Sequence, residues 1–355
     1  MTRKTTAIID LNALVNNFKL LQQHNVNGNT LAVIKANAYG HGAIEVARAL
    51  EHDASCVAVA FVDEAKCLRE QGSKQEIVVL EGAYNESETR WALANDIILV
   101  AHRTAQLQWL SENTNIAARL WLKVDTGMHR LGFMPDELAN VFEQFNHLFN
   151  QETVIFSHLA CADEPENQHT KDQIQRLNAI LKQYAFPSSM ANSAGIVQWA
   201  SSHGAWNRAG IALYGGQSSQ LPLDIGLQPV MTLSAPIIAL RNIDAGECVG
   251  YGASWQAERP STIATVAIGY ADGYPRHAPS GTPAWCKGQH IPLVGRVSMD
   301  MLTFDVTDHA QVAVGDQVEL WGRNVSVAEV AARAGTIDYE LLTRVSERVP
   351  REYVG

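Results

Sequence analysis

Alternation is the feature that most constrains this chain. Short apolar runs recur at residues 31–34, 57–62, 76–80, 97–100, 118–124, 154–157, 188–190 and 209–214. Each is short enough for a buried strand. Helical spacing separates most of them, at 43–50, 64–70, 86–94, 104–110, 136–149 and 168–184. A strand followed by a helix, repeated, means parallel pairing, because the crossover must return the chain to the same end of the sheet. Runs that are apolar throughout, rather than at every second residue, say that both faces of each strand are covered. Eight such units predict a closed (β/α)8 TIM-like barrel, with an open doubly wound sheet as the alternative.

The repeat has something before it and something after it. Residues 7–9 suit a short strand, and Asp10 or Asn12 can cap a helix that runs to about Gln23. Leu11, Leu14, Val15, Phe18 and Leu21 fall on one face of that helix. Near residues 220–229 the texture changes and helices nearly vanish. Strands are predicted at 230–239, 262–268, 291–297, 302–306 and 317–320, punctuated by glycines, with one short helix at 327–334. The chain therefore divides into an α/β barrel, residues 1–220, and a mostly β C-terminal domain, residues 221–355. No long linker separates them, so the second should pack directly on the first.

Composition removes several function classes. A net charge of −10 argues against a nucleic-acid surface. The five cysteines are scattered, odd in number and form no CxxC pair, which predicts a reducing compartment and no cysteine-built metal site. The N-terminus has no apolar signal core and no run is long enough to span a membrane, so the expectation is a soluble cytoplasmic protein. There is no Walker A sequence, no GxGxxG after the first strand, no HExxH and no GxSxG, and no metal is expected.

What remains is the set of polar residues that end the strands. They are Lys35, Lys123 with Asp125, His158, and Asn192 with Ser193. In a barrel these ends form one rim, where barrel enzymes place their reactive groups. Each alone is an ordinary loop residue; several at the same end of successive strands make a candidate site. A partly buried lysine there has a lowered pKa and can act as a nucleophile or form a Schiff base. By themselves, Tyr251 between two glycines is a turn aromatic, Arg208 a surface charge and Asp300 a turn acid.

KANAYGHG at residues 35–42 resembles the pyridoxal-phosphate attachment motif of the alanine racemases. Further segments resemble that family in the same order: LKVDTGMHRLG at 122–132, FSHLACADE at 156–164, NRAGIALYG at 207–215, VGYGASW at 249–255, AIGYADGYPR at 267–276 and VGRVSMD at 294–300. The resemblance spans nearly the whole chain. It implies a barrel followed by a β-rich domain, the cofactor pyridoxal 5'-phosphate, and interconversion of L-alanine and D-alanine. A decarboxylase of the related barrel-plus-β-domain type and a racemase of another small amino acid such as serine are the alternatives. The D-alanine would serve either cell-wall precursor supply or alanine breakdown.

The resemblance also implies roles. Lys35 corresponds to the lysine that holds the cofactor and serves as one of two bases. Tyr251 corresponds to the opposing base, supplied by the partner subunit of a homodimer with shared sites. Arg208 faces the pyridine nitrogen, and His158 links it to that tyrosine. Tyr39, Ser193, Gly210, Ile211 and Tyr339 resemble the phosphate contacts. Arg130 and the backbone N–H of Met299 resemble the clamp on the substrate carboxylate, with Asp300 beside it. Lys123 matches a lysine carbamylated in many members, and Tyr270 a residue of the substrate channel. Two departures stand out: Ala209 replaces a common proline, and His129 a common glycine. The chemistry fits the set, because inverting a carbon centre needs proton exchange on both of its faces.

Overall fold

The computed structural model describes residues 3–26, 28–113, 119–216 and 225–355. The predicted junction at residues 220 and 221, and the start of the predicted strand at Ala118, lie outside the described residues. The chain opens with β1 (Thr6–Asp10) and a helix, Leu11–His24, that Asp10 caps by accepting from Ala13 N–H at 2.9 Å. Its buried face is the predicted one, with Leu14, Phe18 and Leu21 inaccessible to solvent.

Eight parallel strands follow: β2 (Asn29–Val33), β3 (Cys56–Val59), β4 (Glu76–Val79), β5 (Ile97–Ala101), β6 (Leu120–Lys123), β7 (Val154–Phe156), β8 (Ser188–Ser189) and β9 (Trp206–Ala209). They pair in the order β8-β7-β6-β5-β4-β3-β2-β9, so the last strand returns to the first. Arg208 N–H donates to Ala191 O at 3.0 Å just beyond β8, which helps to close the seam. The result is the nearly closed barrel, not an open sheet. Every residue of β3, β5 and β6 is buried, as continuous apolar strands require.

Two predicted elements differ. The last barrel strand is Trp206–Ala209, not 209–214, and Ile211–Tyr214 is a 3-10 turn. The reason is local. Ser193 Oγ accepts from the N–H groups of Gly210 and Ala212, at 2.9 and 3.2 Å, and takes donors that a sheet would use. The predicted helix at 136–149 is broken into a 3-10 turn at Pro135–Glu137, a helix at Leu138–Gln144 and a second turn at Asn146–Leu148. The break lets Phe142 and Phe149 pack edge-on, with ring centroids 4.8 Å apart, beside Tyr184 and Phe186.

The second half is mostly β. Its spine is β10 (Met231–Ile243), which pairs with β1, with Ser261–Val266 and with Gln317–Trp321. β1 therefore belongs to the second sheet, where it also runs parallel to the final strand Arg351–Val354. The chain thus begins in one body and crosses to the other. Buried Asn17 holds that crossing: its side chain donates to Leu213 O and Gln228 O and accepts from Gln228 N–H. A single buried apolar cluster runs through the barrel and the second sheet. Two short helices complete the β half. Val327–Ala334 is the predicted one; Asp338–Arg344 is additional. Among the described residues no helix is long and apolar enough to cross a membrane.

A buried carboxylate ties the N-terminus to the second sheet. Asp272 is inaccessible to solvent, accepts from both terminal nitrogens of Arg3 at 3.0 and 2.8 Å, and also accepts from Gly269 N–H. Removing one partner of such a pair leaves buried polar groups unmatched. Arg3 reaches solvent, so Asp272→Ala should cost about 2–3 kcal/mol, below the range for a fully enclosed pair. The urea midpoint, followed by circular dichroism, should fall accordingly; an unchanged midpoint would refute the tie.

Candidate active site

The C-terminal ends of the barrel strands open into a cavity of about 490 Å³. Eleven of the residues picked out by the sequence line it: Lys35, Tyr39, Lys123, Arg130, His158, Asn192, Ser193, Arg208, Gly210, Ile211 and Tyr339. Strand register explains much of this. β2 pairs with β9 so that Leu31 is level with Arg208, which brings Arg208 beside the strand that leads to Lys35. Lys123 closes β6, and His158 follows β7 by two residues.

Lys35 opens an unusual turn. Ala36, Asn37, Ala38 and Tyr39 all have φ between 52° and 54°. Left-handed backbone costs an L-residue roughly 1–2 kcal/mol, and four in succession must be held from outside. The turn delivers Lys35 and Tyr39 to the same cavity. Burial lowers the pKa of Lys35, opposed by Glu81 and helped by Arg130. Burial likewise lowers Lys123 to about 8, and its ammonium lies 4.8 Å from the centre of the Phe156 ring.

Arg208 is the most tightly held group. It is 3% exposed. It donates to Ser189 Oγ, Ser157 O, Met190 O and His158 Nδ1, at 2.7 to 3.0 Å, and its guanidinium stacks on Phe156. Burial pushes its pKa down, but four acceptors and the chemistry of guanidinium keep it charged. His158 follows from that. Arginine can only donate, so His158 Nδ1 accepts and Nε2 carries the ring proton. Burial and then the Arg208 charge hold the His158 pKa well below its ordinary value, so the ring is neutral.

The donors present fit pyridoxal phosphate. No described residue accepts from Arg208 Nε–H, which suits a basic ring nitrogen. Ile211 N–H, at the start of its turn, also has no acceptor among the described residues. Tyr39, Ser193 and Tyr339, each with a hydroxyl, line the same cavity. A Cβ on Gly210 would stand 3.2 Å from the Tyr39 hydroxyl and 3.6 Å from Ser193 Oγ, so glycine keeps room there for a phosphate. The amine of Lys35 is available to a carbonyl.

Five predicted site residues are not in this cavity: Asp125, just after β6, accepts from the N–H groups of Gly127 and His129 instead, and four others come from the second half of the chain. Tyr251, Tyr270, Met299 and Asp300 lie on the second domain, and Tyr251 is 68% exposed. Asp300 accepts from Arg348 at 2.7 Å. Conversely, the sequence reading missed Glu81, Phe156 and the helix that contributes Tyr339, Glu340 and Thr343. Glu81 could have been found, because it follows its strand by two residues as Lys35 follows its own. The two departures are accommodated. Ala209 pairs in register with Ala32, and His129 adopts φ 54° with its N–H on Asp125 Oδ1 at 3.1 Å.

Fold and site together define a barrel-type enzyme with a buried lysine–arginine–histidine centre for a phosphorylated pyridine cofactor. Comparison with known proteins makes this specific. Residues 9–218 match the family model "Alanine racemase, N-terminal domain", and residues 230–353 match "Alanine racemase, C-terminal domain". The alanine racemase of Alteromonas mediterranea is 49% identical over 353 residues, covering 99% of both chains. The crystal structure of biosynthetic alanine racemase from Pseudomonas aeruginosa superimposes with a TM-score of 0.96 at 43% identity, covering 100% of both chains. That of the Bartonella henselae alanine racemase, with covalently bound pyridoxal phosphate, gives 0.89 at 32% identity over 99% of each. The chain belongs to the alanine racemase family.

Two buried histidines make the fold sensitive to acid. Burial lowers His41, which is inaccessible to solvent, to about 4, and holds His158 lower than usual too. Both stay neutral in the folded protein while the unfolded chain takes up protons below about pH 6.5. Stability is therefore intact above that pH and is lost as pH falls through it, toward the folded pKa. Each histidine should contribute about 1.4 kcal/mol per pH unit over this window. Urea unfolding between pH 7 and pH 5 should show the loss, and His41→Asn should flatten it; a slope equal to that of the native chain would contradict the assignment.

Proposed function

We infer that this chain interconverts L-alanine and D-alanine with pyridoxal 5'-phosphate held by Lys35. The observation that carries the reading is the cavity in which Lys35, buried Arg208 and neutral His158 stand together. When bound, the cofactor supplies an electron sink that acidifies the Cα–H of alanine. Arg208, which cannot give up its proton, donates to the ring nitrogen and disfavours protonation there. That restrains the sink and favours return of the proton to Cα over transamination. Lys35 moves the proton on one face of Cα. Its lowered pKa raises the share of neutral amine able to do so.

The second face belongs to Tyr251. We propose that two copies associate head to tail, so that the second domain of one, residues 221–355, lends Tyr251 and Met299 to the barrel of the other, residues 1–220. The exposure of Tyr251 and Met299, at 68% and 52%, supports this. Gly250 and Gly252, both at positive φ, present the tyrosine on a tight turn. The Nε2–H of His158 then faces the phenol and keeps it poised. Arg130 and the N–H of Met299 hold the carboxylate, Lys123 as its carbamate accepts from Arg130 and orients it, Asp300 stands beside the clamp, and Tyr270 narrows the way in. Tyr39, Ser193, Gly210, Ile211 and Tyr339 hold the phosphate. The five cysteines are all free, which accords with the cytoplasm.

Two experiments follow. Lys35→Ala and Tyr251→Phe chains, each inactive, should regain activity when mixed, since a mixed dimer has one intact site. Demonstrated mixed dimers without activity would rule out shared sites. Tyr251→Phe with cofactor bound should slow racemisation by roughly 10² to 10⁴-fold, the range for a positioned acid or base. It should still exchange the α-proton of D-alanine for solvent deuterium through Lys35, while exchange of L-alanine falls much further. Equal loss for both enantiomers, read by early-time mass spectrometry, would disprove one base per face.

A further inference from the structure

The left-handed turn that delivers Lys35 requires restraint, and two side chains outside the chemistry provide it. His41 lies behind the turn with no exposure to solvent. Its Nδ1 is 2.9 Å from Ala38 O and 3.0 Å from Tyr39 O. Carbonyl oxygens only accept, so Nδ1 carries the proton and bridges both. The ring stacks on Tyr214 at 4.5 Å between centroids. Tyr214 packs in turn against Tyr39, with the rings tilted and their centroids 4.9 Å apart, and donates to Val33 O, in the strand that leads to Lys35. On the other side, Glu64 Oε1 accepts from Ala36 N–H at 2.6 Å, the residue next to Lys35. Its Oε2 accepts from Ala60 and Phe61 N–H, at 2.7 and 3.1 Å, which anchors it to the loop after β3. The last strand presses on the same turn: a Cβ on Gly42 would fall 2.0 Å from the Tyr353 hydroxyl.

We propose that His41 and Glu64 are positioning residues that hold the turn from inside and outside, and so set where Lys35 and Tyr39 stand in the cavity. Neither touches the reacting atoms. Both act on the backbone of a segment whose left-handed conformation is unfavourable for alanine, asparagine and tyrosine. Without them the turn relaxes, and the amine and the phenol leave their places together. The proposal rests on the reading of this cavity as the cofactor site. Borohydride trapping of pyridoxal phosphate on Lys35 in the unmutated protein tests that reading by itself.

The test uses purified holoprotein carrying His41→Leu, His41→Asn or Glu64→Gln. Leucine removes the donor and keeps much of the packing. Asparagine returns an amide N–H to the position of Nδ1. Glutamine deprives Glu64 of one of its two accepting arms. Cofactor loss during dialysis, read from visible absorbance, should be about tenfold faster or more for His41→Leu and Glu64→Gln, with kcat reduced and KM for alanine little changed. His41→Asn should recover most of both. A residue that only fills the core would show the reverse order, with leucine tolerated and asparagine not. Cofactor loss and kcat at native values in a folded His41→Leu or Glu64→Gln protein, or asparagine no better than leucine, would overturn the proposal. If His41→Leu does not fold by circular dichroism, Glu64→Gln decides alone.

Discussion

A guanidinium buried at the bottom of the cavity sets the terms for everything around it. Taking a charge out of water is costly unless each of its protons finds an acceptor. Arg208 solves this with Ser157 O and His158, just after β7, and with Ser189 and Met190 O, at the end of β8. The strands must therefore close, because the acceptors after β7 and around β8 meet the arginine of β9 only when the sheet returns on itself. The same charge fixes the histidine tautomer and keeps that ring neutral. Among the described residues it leaves Nε–H and one Nη1–H for a ligand. Fold closure and cofactor polarity are thus one constraint seen from two sides.

Charge balance extends the argument to the rest of the cavity. The chain carries a net charge of −10, yet Lys35, Lys123, Arg130 and Arg208 converge on one space, against Glu81 and Glu340. Such a site attracts a phosphate and a carboxylate while most of the surface repels them. Clustering also works on the lysines. Burial and neighbouring cations favour their neutral form, and Glu81 limits how far that goes. An amine in the role proposed for Lys35, holding a carbonyl and then moving a proton, would need that intermediate character.

The helical and strand periods were legible wherever an element had a clean edge. Glu86–Ala94 and Gln168–Tyr184 agree residue for residue with their spacing, because Asn85 and Asn167 cap them. Apolarity alone misled at residues 209–214. That stretch is buried, but a serine hydroxyl from elsewhere took its N–H groups, and no local pattern announces a distant acceptor. β1 read correctly as a strand, while its place in the second sheet depends on partners more than 200 residues away. The helix Asp338–Arg344 is short, and no side chain caps its start. The site was readable as strand-end residues, and motif resemblance added Arg208, Gly210 and Tyr339, whose meaning comes from neighbours and not from period. The left-handed turn after Lys35 was invisible, since alanine and asparagine give no sign of positive φ when the restraint is a buried histidine.

The pKa pattern bears on the proposal that the second base comes from another chain. Racemisation needs a proton donor and acceptor on each face of Cα. Within the cavity the phenols of Tyr39 and Tyr339 are both raised by burial, Tyr39 to about 12, so each is a poor base near neutral pH. His158 Nδ1 is occupied by Arg208. Lys123 has a lowered pKa, but it is 6% exposed and held in the wall against Phe156, the ring that also backs Arg208. Lys35 is the lining group placed on a mobile-length side chain at the mouth of a strand with its amine partly freed. A second base must then be brought from outside the barrel. An exposed tyrosine set between two positive-φ glycines on the neighbouring domain is what a partner could insert, and there the same Arg208–His158 pair would meet it. In the proposed dimer, the group that closes the barrel would also be the one that meets the second base.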